Sequence, residues 1–315
     1  MSAGGERMRG RWADALRAFI AERRACGYAY GRSHVCACER LCSFLGERDM
    51  DEAAFAEWVA PRDGEACRTR ANRVGLWNVF AGFCVRRDIE TGSFRADVRL
   101  ESDFVPHIYT DEEASAVFSA ADAGIAQRRS PYEPSLIMPA FVRLLYSTGL
   151  RFSEAAGLRW DDVDGRRLSV LGKGGKPRLV VMSASMAEVL ERYRGLRVGG
   201  GGGLVFCGRE GGPLQNQLVG TWHRTLLDSA GVRRADGAYP RLHDWRHTFA
   251  VGALARMDAA GVDVRAALPV LSRYMGHCGP KETEWYLRLT DEGRAGVLER
   301  MELYAPHVAP GLGGV

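Results

Sequence analysis

Apolar residues recur at helical spacing throughout the first ninety residues of the chain. The pattern predicts four helices, over residues 11–26, 33–45, 52–59 and 67–85. No alternating strand pattern interrupts them, so we predict a compact helical domain over residues 1–95. Residues 96–109 lack periodicity and contain Pro106, which indicates a linker to a second domain.

The second predicted domain, residues 110–304, begins with a capping box. Thr110 and Glu113 have the spacing that starts a helix, here extending to about Ala121. Apolar periodicity predicts further helices over residues 135–147, 183–194, 214–230 and 291–304, and a short one near Ser153. Residues 305–315 are expected to be a flexible tail.

Residues 166–182 have a different pattern, which predicts an antiparallel hairpin. Two short Leu- and Val-rich runs flank Gly-Lys-Gly-Gly-Lys. The chain has only three lysines, Lys173, Lys176 and Lys281, and uses arginine elsewhere. Lysine can release a proton, whereas arginine in a protein cannot. The hairpin lysines are therefore candidate proton donors, with an exposed turn carrying two cations as the alternative.

Composition indicates a globular protein with two domains. The chain has 315 residues and a net charge of +4, too small by itself to indicate nucleic-acid binding. No apolar run reaches the roughly 20 residues of a membrane span, and the start has no apolar leader, so we expect a cytoplasmic protein. The eight cysteines form no Cys-x-x-Cys pair, which favours reduced, packed thiols over a metal cluster.

One stretch, residues 241–289, holds an unusual set of chemical groups. His243 and Arg246 stand three apart, which places them on one face of a helix, and His277 and Tyr286 follow. Two imidazoles, a guanidinium and a phenol suit a site that binds an anion and attacks it with oxygen. Zinc binding by His243 and His247, four apart, is a weaker alternative because neither a third ligand nor a Glu base is evident. Tyr286 could instead be a packed aromatic.

Arg68, Arg70 and Arg73 crowd the start of the fourth predicted helix. With short polar residues between them, they suit contacts to DNA phosphates in a groove. A solvated charged face is the alternative. Lys176 at the hairpin is a further candidate for DNA contact.

Six positions in one order carry a resemblance to the tyrosine recombinase (phage integrase) family. They are Arg151 in TGLRFSE, Lys173 in the hairpin, His243 and Arg246, His277 after Gly276, and Tyr286. The resemblance spans essentially the whole chain. It implies a mainly α protein of two domains: a four-helix, SAM-like core-binding domain and a mostly helical α+β catalytic domain with a small antiparallel sheet.

The resemblance also implies a chemistry. Tyr286 would attack the scissile phosphate of duplex DNA and form a 3′-phosphotyrosyl link, without metal, ATP or another cofactor. Arg151, Arg246 and His277 would bind the phosphate. His243 would be the general base or proton relay, and Lys173 would protonate the leaving 5′-oxygen, with Lys176 as the fallback. A homotetramer would assemble on paired recombination sites.

Three functions compete at this stage. A strand-exchange enzyme and a type IB-like topoisomerase share the nucleophile, whereas a regulator that only binds DNA would not need it. His243 and the separate helical domain favour recombination. Integration, excision, transposition and dimer resolution all remain open, as do the target sequence and any accessory or partner recombinase.

Overall fold

The computed structural model describes residues 8–28, 30–89, 96, 105–125, 132–172, 175, 177–197, 203–208, 210–276 and 286. Helices dominate these residues, and a three-stranded antiparallel sheet accompanies them. This arrangement confirms the predicted mainly α fold class. The chain divides into two compact units, Met1–Phe104 and Val105–Val315, which we call unit 1 and unit 2.

The described residues of unit 1 form four helices that enclose an aromatic core. They are α1 (Ala13–Ala25), α2 (Arg32–Leu45), α3 (Glu52–Val59) and α4 (Cys67–Arg86). Phe19 of α1 packs edge to face against Phe80 and Phe83 of α4, with each pair of ring centroids 5.5 Å apart. Burial raises the pKa of Cys38 to about 12, so this thiol of the core is protonated near neutral pH.

Unit 2 is built around one apolar helix. Its helices are α5 (Asp111–Ala123), α6 (Pro134–Thr148), α7 (Phe152–Ala156), α8 (Ala184–Leu196), α9 (Asn216–Ala230), α10 (Asp244–Ala259) and α11 (Val264–Met275). Helix α6 is apolar around most of its surface, and it packs against α5, α7, α8, α9 and α10. The predicted capping box is present at α5, where Thr110 and Glu113 bond reciprocally.

The sheet orders its strands β1 (Val163–Asp164), β2 (Arg167–Leu171) and β3 (Pro177–Val181). Strands β2 and β3 form the predicted hairpin, with Leu168 opposite Val180 and Leu171 opposite Pro177. Leu168 and Val180 are buried, because alternate side chains of each strand face the core of unit 2.

Strand β1 and helix α11 have no counterpart in the sequence-based prediction. Strand β1 has two residues, which is too short for an alternating pattern to show. Helix α11 contains Pro269, which argues against a helix in a sequence, yet Leu268, Leu271 and Met275 form its buried face. The predicted helix at 291–304 and the tail at 305–315 lie outside the described residues.

No helix among the residues that the structure describes is long and apolar enough to cross a membrane.

Candidate active site

A buried carboxylate joins two arginines from different elements of unit 2. Glu154 of α7 accepts hydrogen bonds from both terminal nitrogens of Arg178 on β3, each at 2.8 Å. The same carboxylate accepts from the backbone N–H of Arg151 at 2.8 Å and from its guanidinium at 3.0 Å. Burial alone would raise the pKa of Glu154, but the bonds from Arg178 and Arg151 lower it, so the group is ionised.

The last carbonyl groups of α11 receive three arginines. Arg178 donates to the carbonyl oxygen of Tyr274 at 2.8 Å. Arg246 donates to the carbonyl oxygen of Met275 at 2.5 Å, and Arg151 donates to that of Gly276 at 3.0 Å. The C-terminal end of a helix carries partial negative charge, so cations stabilise it. The three arginines thus hold the residue that precedes His277.

Arg246 is almost fully buried in unit 2. Besides Met275, it donates to the backbone oxygen of Gly149 at 2.7 Å, at the turn between α6 and α7. Burial, followed by the charge of Arg151, lowers the pKa of Arg246 to about 10. The guanidinium therefore keeps its positive charge near neutral pH, in a place where water screens it little.

His243 lies at the N-cap of α10, and much of the residue is exposed. Desolvation of its ring by the surrounding protein, with the charges of Arg246 and Arg241, lowers the pKa of His243 to about 4. Its imidazole is therefore neutral near pH 7. The next residue, Asp244, is buried and accepts from the backbone N–H of Arg241 at 2.7 Å, which fixes the start of the helix.

A buried polar cluster holds the opposite side of α10. The indole N–H of Trp245 donates to Nε2 of His223 at 3.0 Å, and the Tyr109 hydroxyl lies 3.3 Å from the same nitrogen. The rings of Tyr109 and Trp245 stack with centroids 3.8 Å apart. Burial lowers the pKa of His223 to about 3, which keeps it neutral and able to accept. This cluster fixes the rotation of α10 about its axis.

Tyr286 contacts α10 through its hydroxyl group. Nδ1 of His247 lies 3.0 Å from the phenolic oxygen, and the two ring centroids are 5.6 Å apart. The tyrosine ring is 3% exposed and packs with the apolar residues that join α10 to α11, among them Leu254 and Leu271. Tyr286 also lies close enough to Arg246 to interact with its charge. Tyr286 is thus a packed aromatic, and its role as the nucleophile stays a prediction.

The structure brings together four of the six predicted catalytic residues in unit 2. Arg151 and Arg246 share the end of α11, His243 contacts His247, and Tyr286 contacts His247. The other two, Lys173 and His277, lie outside the described residues, as does Lys176. The elements that lead to them are described: β2 and β3 flank the lysines, and α11 ends one residue before His277.

Comparison with known proteins identifies the family. A model of the Phage integrase family matches residues 111–292. The chain belongs to the phage integrase family. This assignment confirms the resemblance drawn from the six motif positions. The match covers α5 to α11 and extends past Tyr286, so it includes every predicted catalytic position of this family member.

Relatives in the family have names that agree with this assignment. The putative integrase/recombinase y4rB of Sinorhizobium fredii is 35% identical over 210 residues, which cover 62% of this chain and 66% of that protein. The tyrosine recombinase XerD of Mycobacterium tuberculosis is 38% identical over 159 residues, 48% of this chain and 47% of that protein. The aligned chain therefore spans about two thirds and about half of these relatives.

A solved structure shows the same fold. The Tn1549 transposon integrase in complex with transposon right end DNA has a TM-score of 0.65 with 18% sequence identity. The likeness covers 90% of this chain and 99% of that chain.

The three arginines of unit 1 that were predicted to contact DNA differ in their surroundings. Arg73 pairs with Glu65 at 2.5 Å, and both side chains are less than a tenth exposed. Its guanidinium also donates to Ala60 O at 3.0 Å, so it supports the fold of unit 1. Arg70 is half-buried and donates to Val59 O at 2.9 Å. Arg68 is exposed, and its contact with DNA stays a prediction.

Sequence reasoning missed two side chains of the site. Arg178 precedes the buried Val180 by two residues, so it occupies a core-facing position of β3, and a charge at such a position was the available signal. His247 was considered only as a zinc ligand with His243. Among the described residues, no group of three His, Cys, Asp or Glu side chains could hold a metal ion.

Proposed function

We propose that this chain is a site-specific DNA recombinase that breaks and rejoins duplex DNA, with Tyr286 as its nucleophile. The observation that carries the proposal is the position of the Tyr286 hydroxyl, bonded to His247 and close to the charge of the buried Arg246. The names of the relatives, integrase/recombinase and tyrosine recombinase, support the same activity.

The proposed chemistry assigns a task to each predicted group, with His243 as the general base for Tyr286 or its proton relay. Tyr286 attacks the scissile phosphorus and forms a 3′-phosphotyrosyl link, while the bond to the 5′-oxygen breaks. Arg151 and Arg246 stabilise the charge that builds on the non-bridging oxygens, since forked guanidinium groups suit phosphate geometry. His277 adds a hydrogen bond, and Lys173 protonates the 5′-oxygen. Lys176 stays the fallback for that step.

Arg151 and Arg246 would act from prepared positions. Their bonds to the end of α11 fix both groups before DNA binds, and positioned charges need no reorganisation during the reaction. The Arg151 side chain is 24% exposed, so part of its fork faces solvent where a phosphate could bind. Resealing would use the energy kept in the phosphotyrosine, so we propose that neither ATP nor a metal is required.

The proposed partners are duplex DNA with specific recombination sites and further copies of this chain. A homotetramer on two paired sites would place four nucleophiles for two rounds of strand exchange. The Tn1549 transposon integrase, which has the same fold, is in complex with transposon right end DNA, and this supports the DNA partner.

A denaturing trap tests the proposal. The purified chain is mixed, without metal or ATP, with duplex fragments from its own genomic neighbourhood and quenched in detergent. We expect a covalent adduct, with a nucleotide remnant on Tyr286 in mass spectrometry and the target site in the recovered DNA. Tyr286→Phe should abolish the adduct.

Tyr274→Phe is the matched control. Its hydroxyl bonds to Val181 O at 3.3 Å at the edge of the sheet, so its removal should leave the adduct in place. An adduct that persists in Tyr286→Phe would exclude Tyr286 as the nucleophile. Intact DNA binding without any adduct would favour the regulator over the enzyme.

A further inference from the structure

The Tyr286 hydroxyl forms a hydrogen bond with a histidine that is not among the six predicted catalytic residues. His247 follows Arg246 by one residue on α10, and its Nδ1 lies 3.0 Å from the phenolic oxygen. A group that removes a proton must lie within about 2.6–3.2 Å of the oxygen that carries it. The Tyr286–His247 pair meets that requirement before DNA is bound.

The chemistry of the two groups is suited to proton transfer. A phenol has a pKa of about 10, so Tyr286 needs a base to attack near neutral pH. A neutral imidazole has one nitrogen that accepts, and Nδ1 of His247 accepts when Nε2 carries the proton. The tyrosine ring is buried, whereas His247 is half-buried, so a proton on His247 has a path to solvent.

The surroundings of His247 on α10 support the same role. His243 lies one helical turn before it, with ring centroids 4.8 Å apart and planes at 82°. His243 is neutral near pH 7, because desolvation and nearby arginines lower its pKa to about 4. It therefore adds no like charge beside a protonated His247. The positive charge of Arg246 favours the phenolate that forms on Tyr286.

We propose that His247 is the catalytic residue that receives the Tyr286 proton during DNA cleavage, an inference that rests on the proposed recombinase function. As the phenolic oxygen bonds to phosphorus, its proton moves to Nδ1 of His247. The bond from phosphorus to the 5′-oxygen breaks, and that oxygen takes a proton from Lys173. Resealing reverses both transfers. His243, beside His247, is left to bind the phosphate or to pass the proton on.

Single-turnover cleavage by the full chain tests this role on duplex DNA carrying the site recovered in the trap. His247→Asn keeps a polar group near the position of Nδ1 but cannot take up a proton near neutral pH. We expect its adduct to form about 100-fold more slowly than that of the wild type, within the usual range for loss of a general base. DNA binding and the unfolding temperature should stay the same.

A fluorinated tyrosine at position 286 separates proton transfer from positioning. Its phenol has a pKa closer to neutrality, so it depends less on a base. With this nucleophile, His247→Asn should form the adduct less than about tenfold more slowly than the chain that keeps His247. If His243 acts on the phosphate, His243→Asn should slow adduct formation by the same factor with the fluorinated tyrosine as with tyrosine. His34→Asn, at an exposed histidine of α2, is the matched control and should cleave at the wild-type rate.

Other results would contradict either the role of His247 or the recombinase function itself. If His247→Asn cleaves as fast as the wild type, or if its deficit is the same with the fluorinated tyrosine, His247 is not the proton acceptor. If only the His243→Asn deficit shrinks, His243 has that role. If the wild type forms no adduct at all, the proposed recombinase function itself fails, and this assignment fails with it.

Discussion

Arginine suits this site because one guanidinium can serve several acceptors at once. Arg178 bonds to both oxygens of Glu154 and to Tyr274 O, and Arg151 bonds to Glu154 and Gly276 O. A lysine ammonium is a point charge and lacks this planar fork. At the scale of single residues, the arginines hold the backbone of unit 2 together. Arg151 and Arg246 are also the two that we propose to bind the phosphate.

Arg178→Ala should destabilise unit 2 and stop cleavage. The substitution leaves the buried carboxylate of Glu154 paired with one arginine. Breaking a buried ion pair lowers the free energy of unfolding by about 3 kcal/mol or more. Arg178→Lys should recover part of the stability because it keeps the charge. Urea unfolding and the adduct assay measure the two effects. Arg167→Ala, at an exposed arginine of β2, is the control and should change stability by less than about 0.5 kcal/mol. Equal stability of Arg178→Ala and Arg167→Ala would refute the role of the buried pair.

The ends of helices position the site at the next scale. Gly149 caps the C-terminal end of α6 and Gly276 caps that of α11, both in the left-handed conformation with φ of +64° and +66°. Their carbonyl oxygens receive Arg246 and Arg151 respectively. Each glycine therefore combines a helix stop with an acceptor for a site arginine. A residue with a Cβ would strain that backbone by about 1 kcal/mol.

Gly149→Ala tests this use of a helix end. Besides the strain of the positive φ, its Cβ would clash with the ring of Phe249, which packs behind the turn. We expect Gly149→Ala to lower the free energy of unfolding by about 3 kcal/mol, because backbone strain and overpacking act together. Cleavage should also be slower, because the carbonyl oxygen that accepts from Arg246 shifts. Gly231→Ala at the end of α9 is the matched control, with φ of +67° and nothing within 4 Å of its Cβ. Gly231→Ala should lower the free energy of unfolding, measured by chemical denaturation, by only about 1 kcal/mol. Equal losses in the two variants would show that the Phe249 contact does not matter.

The whole molecule consists of two units with separate hydrophobic cores. The core of unit 1 joins its four helices, whereas that of unit 2 surrounds α6. A unit with its own core can in principle fold alone. The predicted catalytic residues all belong to unit 2, and Arg68 belongs to unit 1. DNA contacts of unit 1 would therefore add affinity without changing the chemistry.

Residues 105–315, produced without unit 1, should fold and unfold cooperatively on heating, as followed by circular dichroism. This fragment should bind duplex DNA more weakly than the full chain, and its binding should be less sensitive to salt. Each lost phosphate contact reduces the steepness of the plot of log K against log salt by about 0.9. Fluorescence anisotropy across a salt series measures this slope. An unfolded fragment would contradict the independence of the cores, and an unchanged slope would exclude phosphate contacts by unit 1.

Much of the fold was predictable from the sequence because its signals are local. The helical periods of α1 to α4, the capping box of Thr110 and the hairpin of β2 and β3 each depend on residues a few positions apart. The order of the motif positions was likewise enough to predict the family. These features follow from backbone preferences and the need to bury apolar side chains, which neighbouring residues already express.

The partners within the site were decided only by the tertiary structure. Glu154 and Arg178 are 24 residues apart, Arg246 and Met275 are 29 apart, and His247 and Tyr286 are 39 apart. Spacing along one helix indicated that His243 and Arg246 share a face, but it could not indicate which carbonyl or hydroxyl that face meets. That depends on how α10 packs against α6 and α11, and how α11 packs against β3, because packing brings distant residues within hydrogen-bond distance. The sequence thus determined the elements and the set of reactive groups, and tertiary packing determined which acceptor each group binds.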